Sequence, residues 1–83
     1  MKLYLDIHHK VDGLTPQALA EAHERDLQVQ GKHGVNYLKY WYNEDSGKVF
    51  CLAEAPSREA LDAVHREASG LAADEIIEVR EGN

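Results

Sequence analysis

The residues in this sequence best able to do chemistry are imidazoles and carboxylates placed where apolar side chains belong. In Leu19-Ala20-Glu21-Ala22-His23-Glu24-Arg25-Asp26-Leu27 the apolar positions recur at helical spacing. Advancing by about 100° per residue puts His23, Asp26, Leu27 and Gln30 within about 80° of Leu19 on a helical wheel. An amphipathic helix with no special purpose would fill that stripe with aliphatics. A second helical segment repeats the anomaly, with His65 four residues after Leu61 and flanked on its face by Val64 and Ala68. Two inward imidazoles on neighbouring helices could then meet over a shared sheet. An unpaired buried polar group costs about 1–3 kcal/mol, so each needs a partner or a ligand. A satisfied structural histidine is the commoner outcome. A His–Asp pair is also a familiar unit behind a metal, and His23 oriented by Asp26 could serve as a general base.

His8-His9 is a second constellation. Adjacent strand residues point to opposite faces, so the two cannot grip one ion from a regular strand. His8 shares its side with Asp6 and Tyr4. An Asp-x-His pair on an open sheet face, joined by Glu54 or Glu78 if the registers allow, would suit a borderline divalent cation. The alternative for His8 and His9 is a solvated strand end. His33 falls in a Gly-flanked loop and reads as solvated. Cys51, between Phe50 and Leu52, reads as a small core residue rather than a nucleophile. The sequence contains no CxxC, HExxH, Gly-rich phosphate loop or GxSxG, which argues against the common hydrolases and nucleotide enzymes.

The elements that must position these groups are legible in order. Residues Lys2 to His9 alternate, with Leu3, Leu5, Ile7 and His9 on one side and Tyr4, Asp6 and His8 on the other. Thr15-Pro16 supplies an N-cap hydroxyl and a proline at the first helical position, predicting a helix to about Lys32 with Gly34 as its stop. Val35 to Asn43, rich in Tyr and Trp, is a strand; Glu44-Asp45-Ser46-Gly47 turns the chain, and Lys48 to Ala55 returns. Ser57 caps a helix to Ser69, ended by Gly70. Ala73 to Arg80 is the last strand, and Glu81-Gly82-Asn83 a frayed tail. The order β-α-β-β-α-β predicts a ferredoxin-like α+β sandwich, an antiparallel sheet with two helices on one face, as one domain over residues 1–83. The free sheet face then needs a cover. Three of the four Tyr and the Trp fall in one strand, and a second copy in a two-fold homodimer is the simplest cover.

Bulk properties narrow the function. Nine Lys and Arg against fifteen Asp and Glu give a net charge of −6, with no basic cluster. That excludes the counterion-releasing footprint of a nucleic-acid binder and disfavours an anionic membrane surface. No apolar run approaches the length of a membrane span, and the opening residues reach Asp6 too soon for a signal peptide. One Cys cannot form an intrachain disulfide and suits a reducing, cytoplasmic setting. A chain of this size buries a marginal core, which again favours self-association.

The segments Leu3-Tyr4-Leu5-Asp6, Ala22-His23-Glu24-Arg25-Asp26-Leu27, Gly34-Val35-Asn36-Tyr37-Leu38, Tyr40-Trp41, Gly47-Lys48-Val49-Phe50-Cys51-Leu52, Glu54-Ala55-Pro56, Val64-His65-Arg66-Glu67-Ala68 and Ala73-Asp74-Glu75-Ile76 together resemble a family of small bacterial ferredoxin-like domains, largely of unknown function. That family includes a dimeric nickel-binding protein, and related domains occur fused to signalling enzymes such as nucleotide cyclases. The resemblance covers nearly the whole chain. It implies a divalent-metal role, nickel above all, in sequestration or sensing. It also implies a His-Arg-Glu-Ala-His-Gly run where this chain reads His65-Arg66-Glu67-Ala68-Ser69-Gly70. Ser69 thus stands where an imidazole four residues after His65 would complete a chelating pair.

The candidate metal residues are therefore His8, His9, His23, Asp26 and His65, with Ni2+ or a similar transition metal as the bound ion. A regulatory module holding a small apolar ligand ranks second. A dimeric-barrel enzyme of monooxygenase or isomerase type, with a pocket of His23, Asp26, His65, Tyr37 and Trp41, ranks third.

Overall fold

The computed structural model describes residues 1–82; the end of the expected frayed tail, Asn83, lies outside the described residues. Seven elements follow in chain order: β1 (Lys2–His8), α1 (Pro16–Val29), a 3-10 turn (Gln30–His33), β2 (Asn36–Asn43), β3 (Lys48–Ala55), α2 (Arg58–Ala68) and β4 (Glu75–Val79). The four strands form one sheet in the order β2-β3-β1-β4. Every neighbouring pair is antiparallel. This is the expected ferredoxin-like α+β arrangement.

Both helices start as the sequence predicts. The Thr15 hydroxyl accepts the Ala18 N–H at 3.1 Å, and the Ser57 hydroxyl accepts that of Ala60 at 3.2 Å. The first helix is shorter than predicted. It runs as α-helix only to Val29 and tightens into the 3-10 turn before Gly34, whose φ of +69° only a glycine adopts without strain. The tightening has a visible cause. Gln30 turns its side-chain carbonyl to the Tyr37 N–H at 2.9 Å, so the helix end is tied to the start of β2. At the other end of the hairpin, Gly47 lies against the loop after β1, where its carbonyl accepts the Val11 N–H at 2.9 Å. An added Cβ at Gly47 would come within 3.2 Å of that same nitrogen.

The core lies between the helices and one face of the sheet. Leu61 and Val64 of α2 meet Val49, Ala53 and Ala55 of β3 and Tyr4 of β1 there. Register decides what else lies on that face. Asp6 stands opposite Cys51 on β3 and Ile76 on β4, and His8 opposite Val49. The strand alternation of β1 is therefore as predicted, but its orientation is not. Tyr4, Asp6 and His8 face the helices, and Leu3, Leu5 and Ile7 face away. The expected Asp-x-His pair on an open sheet face is corrected: both residues are buried, Asp6 completely. Glu54 pairs with Leu3 and so lies on the opposite face, while Glu78 is exposed at the edge strand and reaches Lys2 instead.

Candidate metal centre

Four elements bring one side chain or more to a single buried point. β1 brings Asp6 and His8, β3 brings Cys51 from the position opposite Asp6, α2 brings His65, and α1 brings Asp26, the only buried residue of that helix. His65 is the hub. Its Nε2 donates to Asp6 Oδ2 at 2.8 Å and lies 3.0 Å from the Tyr37 hydroxyl, with Tyr37 also 3.5 Å from that carboxylate oxygen. On the other side of the ring, Nδ1 lies 3.3 Å from Asp26 Oδ1, an ion-pair contact that lacks hydrogen-bond alignment. The His8 ring meets the His65 ring edge to face, with centroids 5.2 Å apart.

Two carboxylates around one imidazole set its charge. Burial of His65 opposes protonation, but the Asp26 and Asp6 contacts outweigh it and hold the imidazolium up to a pKa of about 9. Asp6 behaves reciprocally. Its burial alone would raise its pKa, and the His65 and His8 contacts bring it below the ordinary carboxylate value. Cys51 is held far above the usual thiol range by burial and then by the Asp6 charge, so the metal-free site keeps it as a thiol. Burial and the same two carboxylates likewise keep the Tyr37 phenol protonated.

The polar atoms here are not all satisfied. Asp6 Oδ1 and Asp26 Oδ1 are buried without a hydrogen-bond partner, and His8 Nε2 stands 3.6 Å from Asp6 Oδ1, too far for a hydrogen bond. One ligand atom from each of Asp6, His8, Cys51 and His65 can be chosen so that all four lie within 4.8 Å of one another. Around a four-coordinate ion with bonds of about 2.0–2.3 Å, donor atoms sit roughly 3.3–3.8 Å apart. A contraction of about an ångström would close the set on a cation. Among the described residues it is the one such group of His, Cys, Asp and Glu.

The sequence-predicted residues divide around this cluster. His8 and His65 belong to it. Asp26 stands directly behind His65, and reaches that ring rather than His23. His23 is turned inward as expected but lies tilted against Tyr40, with centroids 4.5 Å apart, at the wall of a neighbouring cavity. His9 is on the exposed surface, where its ring meets Glu75 and its N–H donates to Asp74 at 2.6 Å. Cys51 and Asp6, both members of this cluster, were not among the residues the sequence singled out as metal candidates. The parity of Asp6 and His8 was visible, but the signal for Cys51 was the β1–β3 register, which a ferredoxin-like strand order implies only once the hairpin and the first strand are aligned.

The comparisons with known proteins bear on this chemistry. The family described as nickel responsive protein SCO4226-like matches residues 4–79. The chain belongs to that family. The SCO4226-like fold is also close to a solved one: the crystal structure of SCO4226 from Streptomyces coelicolor A3(2) matches with a TM-score of 0.89 at 38% identity, covering 98% of this chain and 99% of that one. No curated protein matches it. No helix of this SCO4226-like chain is long and apolar enough, among the described residues, to cross a membrane.

Proposed function

We propose that this protein binds a nickel-type divalent cation for sequestration or sensing, with Asp6, His8, Cys51 and His65 as donors. The observation that carries the reading is the buried N, N, O, S set within 4.8 Å, in which Asp6 Oδ1 has no hydrogen-bond partner. Thiolate and imidazole donors select nickel, zinc or copper over magnesium or calcium, and the family description favours nickel among these. On binding, His65 gives up its Nε2 proton while its Nδ1 stays against Asp26, the arrangement that commonly fixes a metal-bound imidazole. Cys51 gives up its thiol proton to become the soft donor.

The protein acts as one ferredoxin-like domain over residues 1–83, as a homodimer, in the cytoplasm. The dimer reading is supported by the aliphatic sheet face opposite the helices, and the compartment by a buried thiol that must stay reduced to ligate. Calorimetric titration with Ni2+ tests the function, with the near-ultraviolet thiolate-to-metal band as a second readout. A saturable heat is expected with about one ion per chain, weakened at least about 100-fold in H8A, with the band lost in C51S. Titration without saturable heat ends the reading; binding unchanged in both variants places the ion elsewhere.

A further inference from the structure

A cavity of about 110 Å³ opens directly off the cluster, between α1, the loop after β1 and the loop after α2. Its lining combines two chemistries: the polar His8, Cys51, His65 and Asp26, and the aliphatic Val11, Leu14, Leu19, Val49 and Leu71. A cavity of roughly 150 Å³ lined by aliphatics holds a benzene, so this one suits a five-membered ring. Asp26 adds a specific demand. It is 5% exposed and lines the cavity, and among the described residues no N–H or O–H is aligned to donate to its carboxylate, whose Oδ1 faces the His65 ring.

We infer that this cavity is a small-molecule site that takes an uncharged nitrogen heterocycle of imidazole size beside the metal. The inference rests on the metal reading above. An aromatic N–H donates to the Asp26 carboxylate, the ring lies among the aliphatic side chains, and the second ring nitrogen remains as a donor toward the cluster. Charge selects against anions. A divalent cation with the Asp6 carboxylate and the Cys51 thiolate is already neutral, and Asp26 adds a further negative charge a few ångströms away. A fourth negative group would have to be buried uncompensated. Nickel commonly takes more than four donors, which leaves a position for such a ligand.

The test uses full-length protein loaded with Co2+, whose visible bands report each donor, titrated with imidazole and separately with azide. Imidazole is expected to shift the bands saturably, with half-saturation near or below about 1 mM, while azide leaves them unchanged. Ala22 lines the cavity from α1 without donating to the cluster, and A22L is expected to weaken the imidazole response at least about tenfold while metal affinity changes less than about threefold. Retained metal affinity also shows that A22L is folded. If Co2+ bands never form, the metal reading fails and takes this inference with it. If they form but do not respond to imidazole, bleach because imidazole strips the ion, respond equally to azide, or respond equally in A22L, this inference alone is overturned.

Discussion

Around Asp6 the two faces of the sheet invert the usual distribution of polarity, beside an otherwise apolar core. The face under the helices holds Asp6, His8 and Cys51, with His65 and Asp26 laid over them, all five buried. The other face holds Leu3, Leu5, Ile7, Phe50 and Leu52 half-buried, with Trp41 and Ile77 more exposed still. A domain built for stability alone would exchange these sets. Burying charge costs more than burying aliphatic surface returns, unless the charges are paired. The proposed metal site accounts for the polar inner face, and the proposed dimer contact for the apolar outer one.

The comparison breaks most sharply at His65. Truncation in H65A leaves Asp6 and Asp26 buried without their shared cation. Metal-free H65A is expected to lose about 3–5 kcal/mol of stability in urea denaturation, a large share of what a domain this small possesses. The triple replacement of Asp6, Asp26 and His65 by Leu should recover most of that loss while abolishing nickel binding. If the triple variant is as unstable as H65A, the polar cluster is a structural necessity rather than a site held at a cost in stability.

pH sharpens the same contrast. His65 has a folded pKa of about 9 against 6.5 for the unfolded chain. Its contribution is therefore complete below pH 6.5 and disappears as pH rises through 9. Asp6, whose folded value is lowered, contributes above the ordinary 3.8 and is lost only as pH falls below it. The metal-free protein should thus be most stable in the window between, losing on the order of 3 kcal/mol by pH 9 to 10. Nickel affinity should move oppositely, rising with pH as His65 and Cys51 shed protons. Thermal melts across pH with and without Ni2+ check both slopes; parallel curves would show that the ion does not compete with the His65 proton.

The outer face is tested by charge. Leu5 lies at its centre, on an inner strand between β3 and β4. If two copies meet there, L5K is expected to raise the dimer dissociation constant about 100-fold, roughly 3 kcal/mol, with sedimentation showing monomer and nickel binding retained. If that face simply meets water, the substitution should alter mass not at all and stability by less than about 0.5 kcal/mol.

The inversion also explains what the sequence disclosed. Element order, both helix caps and the hairpin follow from local signals: Thr15-Pro16, Ser57, Gly34 and Gly47 each act within a few residues. The helix wheel placed Asp26 and His65 inward correctly, because helical period is local too. What it could not supply is which side of β1 meets the helices. Leu3, Leu5 and Ile7 are the more apolar side, and the usual rule assigns the apolar side to the core. The chain breaks that rule at its site, where local and global preferences are expected to conflict. Cys51 was missed for a related reason. Its role depends on lying opposite Asp6 across strands 45 positions apart in sequence, and no local pattern records that register.

Ser69 provides the finest test of the inner face. It follows His65 by four positions, lines the cavity, and donates its hydroxyl back to the His65 carbonyl at 3.3 Å. S69H places a tethered imidazole at the wall where a free one is proposed to sit. Nickel should then bind about tenfold more tightly, about 1.4 kcal/mol. Added imidazole should no longer shift the spectrum of the loaded protein, since the side chain occupies the place the free ring would take. Tighter metal binding with an undiminished response to free imidazole would mean that the new side chain reaches the ion by another approach. Unchanged binding would mean that the end of α2 lies outside the ion's reach, confining the site to the sheet and the buried ring of His65.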